Sequence, residues 1–219
     1  MAEVEGSKDL ISVLWSGADI LRSKMDANEY KDYLLGIVFY KYLSDTFLIK
    51  VYDLIYDEKP KSLKVALDAY KEALEDESAE ELKEQIKSEC HYLIEPQLTY
   101  TCFADAARNN AFNRELLQKA FNNIEQSDPL FVDLFTDIDL YSNRLGNGDQ
   151  KQSDTISSLV KEIDKADLLN SDAEILGNAY EYLIGQFASE TGKKAGEFYT
   201  PQAVSKILTK IAIAGQENK

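Results

Sequence analysis

The residues best suited to chemistry in this chain are Gly196-Glu-Phe-Tyr-Thr-Pro201. Two adjacent aromatics, Phe198 and Tyr199, precede a Thr-Pro pair that reads as a helix start, with Thr200 as the cap and Pro201 in the first helical position. Such a corner offers a stacking face, a hydroxyl and free backbone donors at the positive end of a helix, a setting that can hold a small charged ligand. The same residues also fit an ordinary hydrophobic staple that fixes the entry into a helix.

Elsewhere the search for a reactive constellation fails on residue type and spacing. His91, the single histidine, follows Cys90, and Cys102 lies further on; a structural zinc takes four ligands at recognisable spacing, so the three read as packing residues and no metal site is expected. One histidine with no Ser or Cys elbow speaks against a nucleophilic triad. No Gly-x-x-x-x-Gly-Lys loop is present, and Gly146-Asn-Gly148 lacks both a third glycine and a preceding strand pattern. The many carboxylates have the spacing of surface helices. No catalytic residue is identified.

Composition restricts the function class further. The 219 residues carry Lys+Arg 24 against Asp+Glu 39, a formal net charge of -15. With 44% hydrophobic and 11% aromatic residues, 13 of them Tyr, this is a folded chain and not a solvating acidic tail. The acidic excess argues against non-specific duplex binding by the whole chain, since phosphate contacts need clustered Lys and Arg. The charge is uneven: Glu72, Glu75, Asp76, Glu77, Glu80, Glu81 and Glu84 accompany Lys83 alone, whereas Lys193, Lys194, Lys206, Lys210 and Lys219 make the C-terminal end the electropositive one. Two cysteines cannot staple a scaffold of this size, the N-terminus lacks the basic start and apolar core of a secretory signal, and Lys41 breaks the longest apolar run, Tyr33 to Tyr42. A cytoplasmic protein with no membrane partner is expected.

Helix is favoured throughout, because only 4 Pro interrupt the chain. Ser7 is placed to cap a first helix with Leu10, Val13, Leu14, Ala18 and Leu21 on one face. Apolar positions between Asp26 and Tyr56 cover more than a single stripe, which predicts a central helix packed on several sides. Ser62 to Leu74 and Ala79 to Ser88 read as exposed, charge-laced helices. Cys90 to Phe103 is rich in Tyr, Thr and Ile around Pro96 and reads as a short strand or an irregular segment. Phe112 to Ile124, Ser153 to Ala166 and Ala173 to Phe187 are further helices, with an exposed turn at Tyr141 to Gly148. Ala188 to Gly196 is small, polar and basic, a flexible loop on this reading, and Ala203 to Ala214 forms a last helix. The fold class expected is all-α.

Two runs, Ile175-Leu-Gly-Asn-Ala-Tyr-Glu-Tyr-Leu-Ile184 and Gly192-Lys-Lys-Ala-Gly-Glu-Phe-Tyr-Thr-Pro201, closely resemble the modification subunit of type I restriction-modification systems, an adenine-specific DNA methyltransferase. Leu14-Trp15, Tyr92-Leu-Ile-Glu-Pro96 and Ser142-Asn-Arg-Leu-Gly146 look like landmarks of the helical N-terminal region of that family, and the resemblance covers essentially the whole chain. It implies that Phe198, Tyr199, Thr200 and Pro201 contact S-adenosylmethionine, while Glu197 occupies a variable place in the pattern. It further implies methyl transfer to adenine N6 in a recognised sequence of double-stranded DNA, with a specificity subunit and a restriction subunit as partners.

The Asp-Pro-x-x-Gly-Ser-Gly-like cofactor loop and the Asn-Pro-Pro-Phe-like tetrapeptide that grips a flipped adenine in such enzymes do not occur here. The resemblance therefore implies an N-terminal fragment: a helical domain over 1–187, then 188–219 as linker and start of an incomplete α/β methyltransferase domain, inactive alone. Within the complex the helical region would help enclose DNA and contact other subunits. The competing class is a non-catalytic helical module that only binds another protein, which the acidic surface and Tyr-rich helices would suit.

Overall fold

The computed structural model describes residues 2–166, 177, 181, 185 and 202–214. All regular structure among them is helical, as the sequence pattern predicts. The order is α1 (Ala2–Arg22), α2 (Ala27–Tyr56), α3 (Leu63–Ala73), α4 (Ala79–Cys90), α5 (Tyr100–Arg108), α6 (Arg114–Glu125), α7 (Asp149–Ile163) and α8 (Gln202–Ile213), with 3-10 turns at Pro96–Leu98 and Pro129–Phe131. No described helix is long and apolar enough to cross a membrane.

The α2 helix is the axis of the bundle. Its 30 residues bury Tyr30, Tyr33, Leu34, Ile37, Val38, Tyr40, Leu43, Phe47, Leu48 and Val51, too many directions for one stripe, and α1, α3, α5 and α7 all pack on it. Close approach depends on two glycines. A Cβ on Gly36 would stand 2.0 Å from Ile138 Cδ1, and one on Gly17 would stand 2.8 Å from Leu34 Cδ2.

Lys41, which interrupts an apolar run in the sequence, is inside the bundle. Its ammonium lies 2.6 Å from Asp45 Oδ2 one turn on, the side chains 3% and 2% exposed, and 5.2 Å from the centre of the Tyr100 ring. A pair at i, i+4 on one helix meets without long-range ordering, which is how two charges can share a core.

Three boundaries and the burial of one helix differ from the sequence reading. The α1 helix begins at Ala2, so Ser7 lies within it instead of capping it. The α3 helix is not merely a charged surface: it buries Ala66, Leu67, Ala69 and Tyr70, with Ser62 accepting the Val65 N–H as its cap. The α5 helix starts inside the supposed strand region, where Thr99 Oγ1 accepts from Cys102 N and Ser44 Oγ accepts the Tyr100 N–H at 2.8 Å. The α7 helix starts at Asp149, earlier than the apolar spacing shows, because its first turn is polar, with Asp149, Gln150 and Lys151 exposed.

No strand forms at Cys90 to Phe103, so its carbonyls need other donors. Buried tyrosines supply them: Tyr40 donates to Leu98 O at 2.7 Å and Tyr70 to Ile94 O at 3.1 Å. In return Tyr92 of this segment donates to Leu43 O at 3.0 Å, and Tyr100 to Val160 O at 2.9 Å. Their rings complete an aromatic core, in which Phe121 stacks on Phe135 at 4.2 Å and Phe47 packs on Tyr70 and Tyr92. These tyrosines thus act as hydrogen-bonding pins that tie the 90–103 segment to α2, α3 and α7.

Candidate functional site

The aromatic-Thr-Pro corner, Phe198 to Pro201, lies outside the described residues, as do the 188–196 loop and most of the helix expected over Ala173 to Phe187, of which Gly177, Glu181 and Gly185 are described and helical. The helix that this corner was expected to open is present as α8, one residue past Pro201. Val204, Ile207, Leu208 and Ile211 recur at i, i+3, i+4 and i+7, yet they are 44%, 57%, 58% and 66% exposed. Twelve residues make a marginal helix in water, and an apolar stripe of this kind is ordinarily covered. The chain therefore carries, directly after the chemically suggestive corner, a helix whose packing surface is bare.

His91, Cys90 and Cys102 do not converge on a metal. His91 takes the left-handed conformation (φ 66°) that ends α4, is exposed, and has its Nδ1 3.9 Å from Asp128 Oδ2. Cys90 is half-buried, and burial pushes its thiol up, away from the reactive thiolate. No group of three or more His, Cys, Asp or Glu able to hold a metal occurs among the described residues.

The landmark Ser142-Asn-Arg-Leu-Gly146 lies within a densely bonded polar stretch that runs from Leu140 to Thr155. Arg114, buried at the start of α6, is its hub: the guanidinium donates to Gln152 Oε1, to Asp149 Oδ1 at 2.9 Å and to Leu140 O at 3.4 Å, and lies 4.2 Å from the centre of the Tyr141 ring. Gln152 Nε2 donates to Tyr141 O at 3.1 Å, and Leu145 O accepts from both Thr155 Oγ1 at 2.8 Å and Lys24 Nζ at 3.2 Å. Arg144 pairs with Glu29, and Tyr33 donates to Asp139 O at 2.7 Å. Gly146 must be glycine, because a Cβ would lie 2.7 Å from Lys151 Cβ.

These bonds tie the loop to α2, α6, α7 and the turn between α1 and α2, with Leu145 buried and Tyr141, Asn143, Arg144 and Asn147 exposed. A rigid polar loop of this kind is suited to recognition of another molecule and carries no acid, base and nucleophile in reach of one another. Sequence reasoning found the loop but not Arg114 or Gln152, since neither shows a pattern that marks it as buried.

Cations are mostly neutralised over the rest of the bundle. Lys50, Lys64, Lys83, Lys87, Arg108, Lys119 and Lys165 each lie within ion-pair distance of a carboxylate.

The comparisons with known proteins agree with one another. Residues 10–163 match the family described as the HsdM N-terminal domain, and residues 171–219 match the family described as N-6 DNA Methylase. The type I restriction enzyme MpnII methylase subunit of Mycoplasma pneumoniae is 29% identical, over 93% of this chain and 39% of its own. The type I restriction enzyme MjaIX methylase subunit of Methanocaldococcus jannaschii is 26% identical, over 90% of this chain and 34% of its own. The crystal structure of the type I restriction-modification system methyltransferase subunit from Streptococcus thermophilus is similar at 48% identity and a TM-score of 0.87, covering 97% of this chain and 45% of that one. The chain thus spans less than half the length of these relatives.

Proposed function

Because the chain belongs to the HsdM N-terminal domain family, we propose that it serves as the helical N-terminal region of a type I restriction-modification methyltransferase subunit, whose whole length transfers a methyl group from S-adenosylmethionine to adenine N6 in a specific sequence of double-stranded DNA. The observation that carries this reading is the pairing of two matches on one chain, the helical family over 10–163 and the N-6 DNA methylase family over 171–219. The bare apolar face of α8 lies within the second match and supports it, since a helix beginning an α/β domain needs a sheet to cover it.

On this reading the boundary near 187 separates the bundle from the start of the methyltransferase domain. S-adenosylmethionine supplies the methyl group, and Phe198, Tyr199, Thr200 and Pro201 line its pocket: the rings pack on its apolar portion and the helix start faces its polar end. A specificity subunit selects the sequence and a restriction subunit cuts. The bundle helps enclose DNA and contacts these partners, with the pinned Tyr141 to Gly148 loop as a rigid element for such contacts.

The test is methyl transfer in the assembled complex, using the whole subunit with its specificity subunit, labelled cofactor and DNA, followed by nucleoside analysis. Label in N6-methyladenine supports the reading, label in cytosine or none overturns it, and transfer by the 219-residue chain alone would contradict the division of labour. In the whole subunit, Tyr199→Ala should weaken cofactor binding by about 1–3 kcal/mol, the scale of a lost buried aromatic contact. Unchanged affinity with a lower melting temperature would reduce Phe198 and Tyr199 to a helix staple.

A further inference from the structure

A groove of about 410 Å³ opens where the C-terminal turns of α2 and α3 meet the first half of α4. Its apolar surface comes from Leu54, Ile55, Tyr56 and Leu82, and its charged lining is Glu72, Asp76 and Glu81, with no Lys or Arg among the lining residues. Tyr56 is 50% exposed and its ring lies 4.7 Å from that of Tyr52. We propose that this groove is a docking surface for a cationic amphipathic segment of a partner protein, apolar side chains seated on Leu54, Ile55 and Leu82 and an Arg or Lys held between Tyr56 and the three carboxylates.

Charge complementarity selects the occupant. Elsewhere on α3 and α4 the acids are matched: Lys64 pairs with Asp68, Lys83 with Glu80 and Lys87 with Glu84. The groove carboxylates have no ion pair with any described cation. Asp76 is instead fixed in place, accepting from Ser78 N at 2.9 Å and Ser78 Oγ at 2.8 Å, bonds that hold its carboxyl below the ordinary range and keep it charged. At this wall α2 ends with no basic residue in its last turn, α3 ends with Lys71, and the first turns of α4 lie across from them.

Such a surface repels nucleic acid and a second copy of a chain of net charge -15. The aromatic wall beside carboxylates suits a guanidinium, which stacks and donates at once. The α4 helix buries Ile86, while its Leu82 is only partly buried at the groove. The inference does not depend on methyl transfer, and its failure would leave that reading untouched.

The test uses the 219-residue chain and a labelled helical peptide of Leu, Ala and Arg, leucines at i, i+3, i+4 and i+7 and arginines on both flanks, beside a scrambled peptide of the same composition. Fluorescence anisotropy gives affinity and hydrogen exchange gives location. Protection confined to residues 52–58 and 69–85 is expected, with the scrambled peptide clearly weaker. Glu72→Lys/Glu81→Lys should lower affinity by about tenfold or more, whereas the charge-matched reversal Glu115→Lys/Asp137→Lys should change it by less than about threefold.

Circular dichroism verifies that each variant folds, and the isosteric Glu81→Gln, which introduces no new charge, should still show a severalfold loss. Equal losses in the two reversed pairs, no loss at Glu72 and Glu81, no preference over the scrambled peptide, or protection elsewhere would each overturn the proposal.

Discussion

Raising the pH past the ordinary tyrosine range should unfold this bundle cooperatively, and the buried tyrosines set the scale. Tyr40, Tyr70, Tyr92 and Tyr100 are at most 7% exposed, and each donates its hydroxyl hydrogen to a main-chain carbonyl. Burial raises all four phenols above the value of 10.0 that they have in the unfolded chain. The neutral phenol is the form the fold holds, so this contribution is fully present below about pH 10 and is lost as the pH rises towards the folded values. Each site loses about 1.4 kcal/mol per pH unit above about 10, and four together lose roughly 5–6 kcal/mol per unit.

That loss is comparable to the whole stability of an ordinary domain, about 5–15 kcal/mol. Helical circular dichroism should therefore collapse within one to two units above about pH 10, together with the ionisation of Tyr40, Tyr70, Tyr92 and Tyr100. Tyrosinate absorbance recorded beside circular dichroism measures both. A single smooth titration of every tyrosine near pH 10 with the helices intact would refute the reasoning, and so would unfolding that sets in below pH 9.

Two substitutions test the packing of α2. Gly36→Ala should destabilise by about 1–3 kcal/mol in urea unfolding, because the new methyl collides with Ile138, although helix propensity alone favours Ala by about 1 kcal/mol; a stabilised variant would show that the contact yields freely. Lys41→Met should cost about 3–5 kcal/mol by leaving Asp45 charged in the core without its cation, and Lys41→Met/Asp45→Leu should recover most of that loss. Additive losses in the double variant would mean that the pair is not coupled.

Much of this bundle was legible because helical periodicity survives in the sequence wherever a helix has one wet face and one dry one. Asp26 to Tyr56 reads as a central helix from its excess of apolar directions, and the structure buries it on several sides. The Phe112 to Ile124 stripe leads to α6, displaced only at its ends. The pattern fails where tertiary partners override propensity. Tyr100-Thr-Cys-Phe103 has the β-branched and aromatic character of a strand, yet it turns helical because Ser44 and Thr99 supply bonds at its start that no local pattern reveals. Lys41 looks like an interruption of an apolar run, and only its spacing to Asp45 hints that it could be buried in company.

Site residues are harder to read for a physical reason that Arg114 illustrates. A side chain used as a hub makes its contacts across distant parts of the chain, here with Leu140, Tyr141, Asp149 and Gln152, and nothing in its own neighbourhood distinguishes it from a solvated arginine at a helix start. The acidic run is the opposite case: composition shows it plainly but leaves open whether it is merely a solvated face. Ion pairing decides that question locally. Where Lys64, Lys83 and Lys87 answer their neighbours, the surface is complete in itself; where Glu72, Asp76 and Glu81 line an apolar groove with no cation among them, it is complementary to something else. The same reasoning separates α8 from the bundle helices, since its periodicity is as clear as theirs and its apolar face is the one left uncovered.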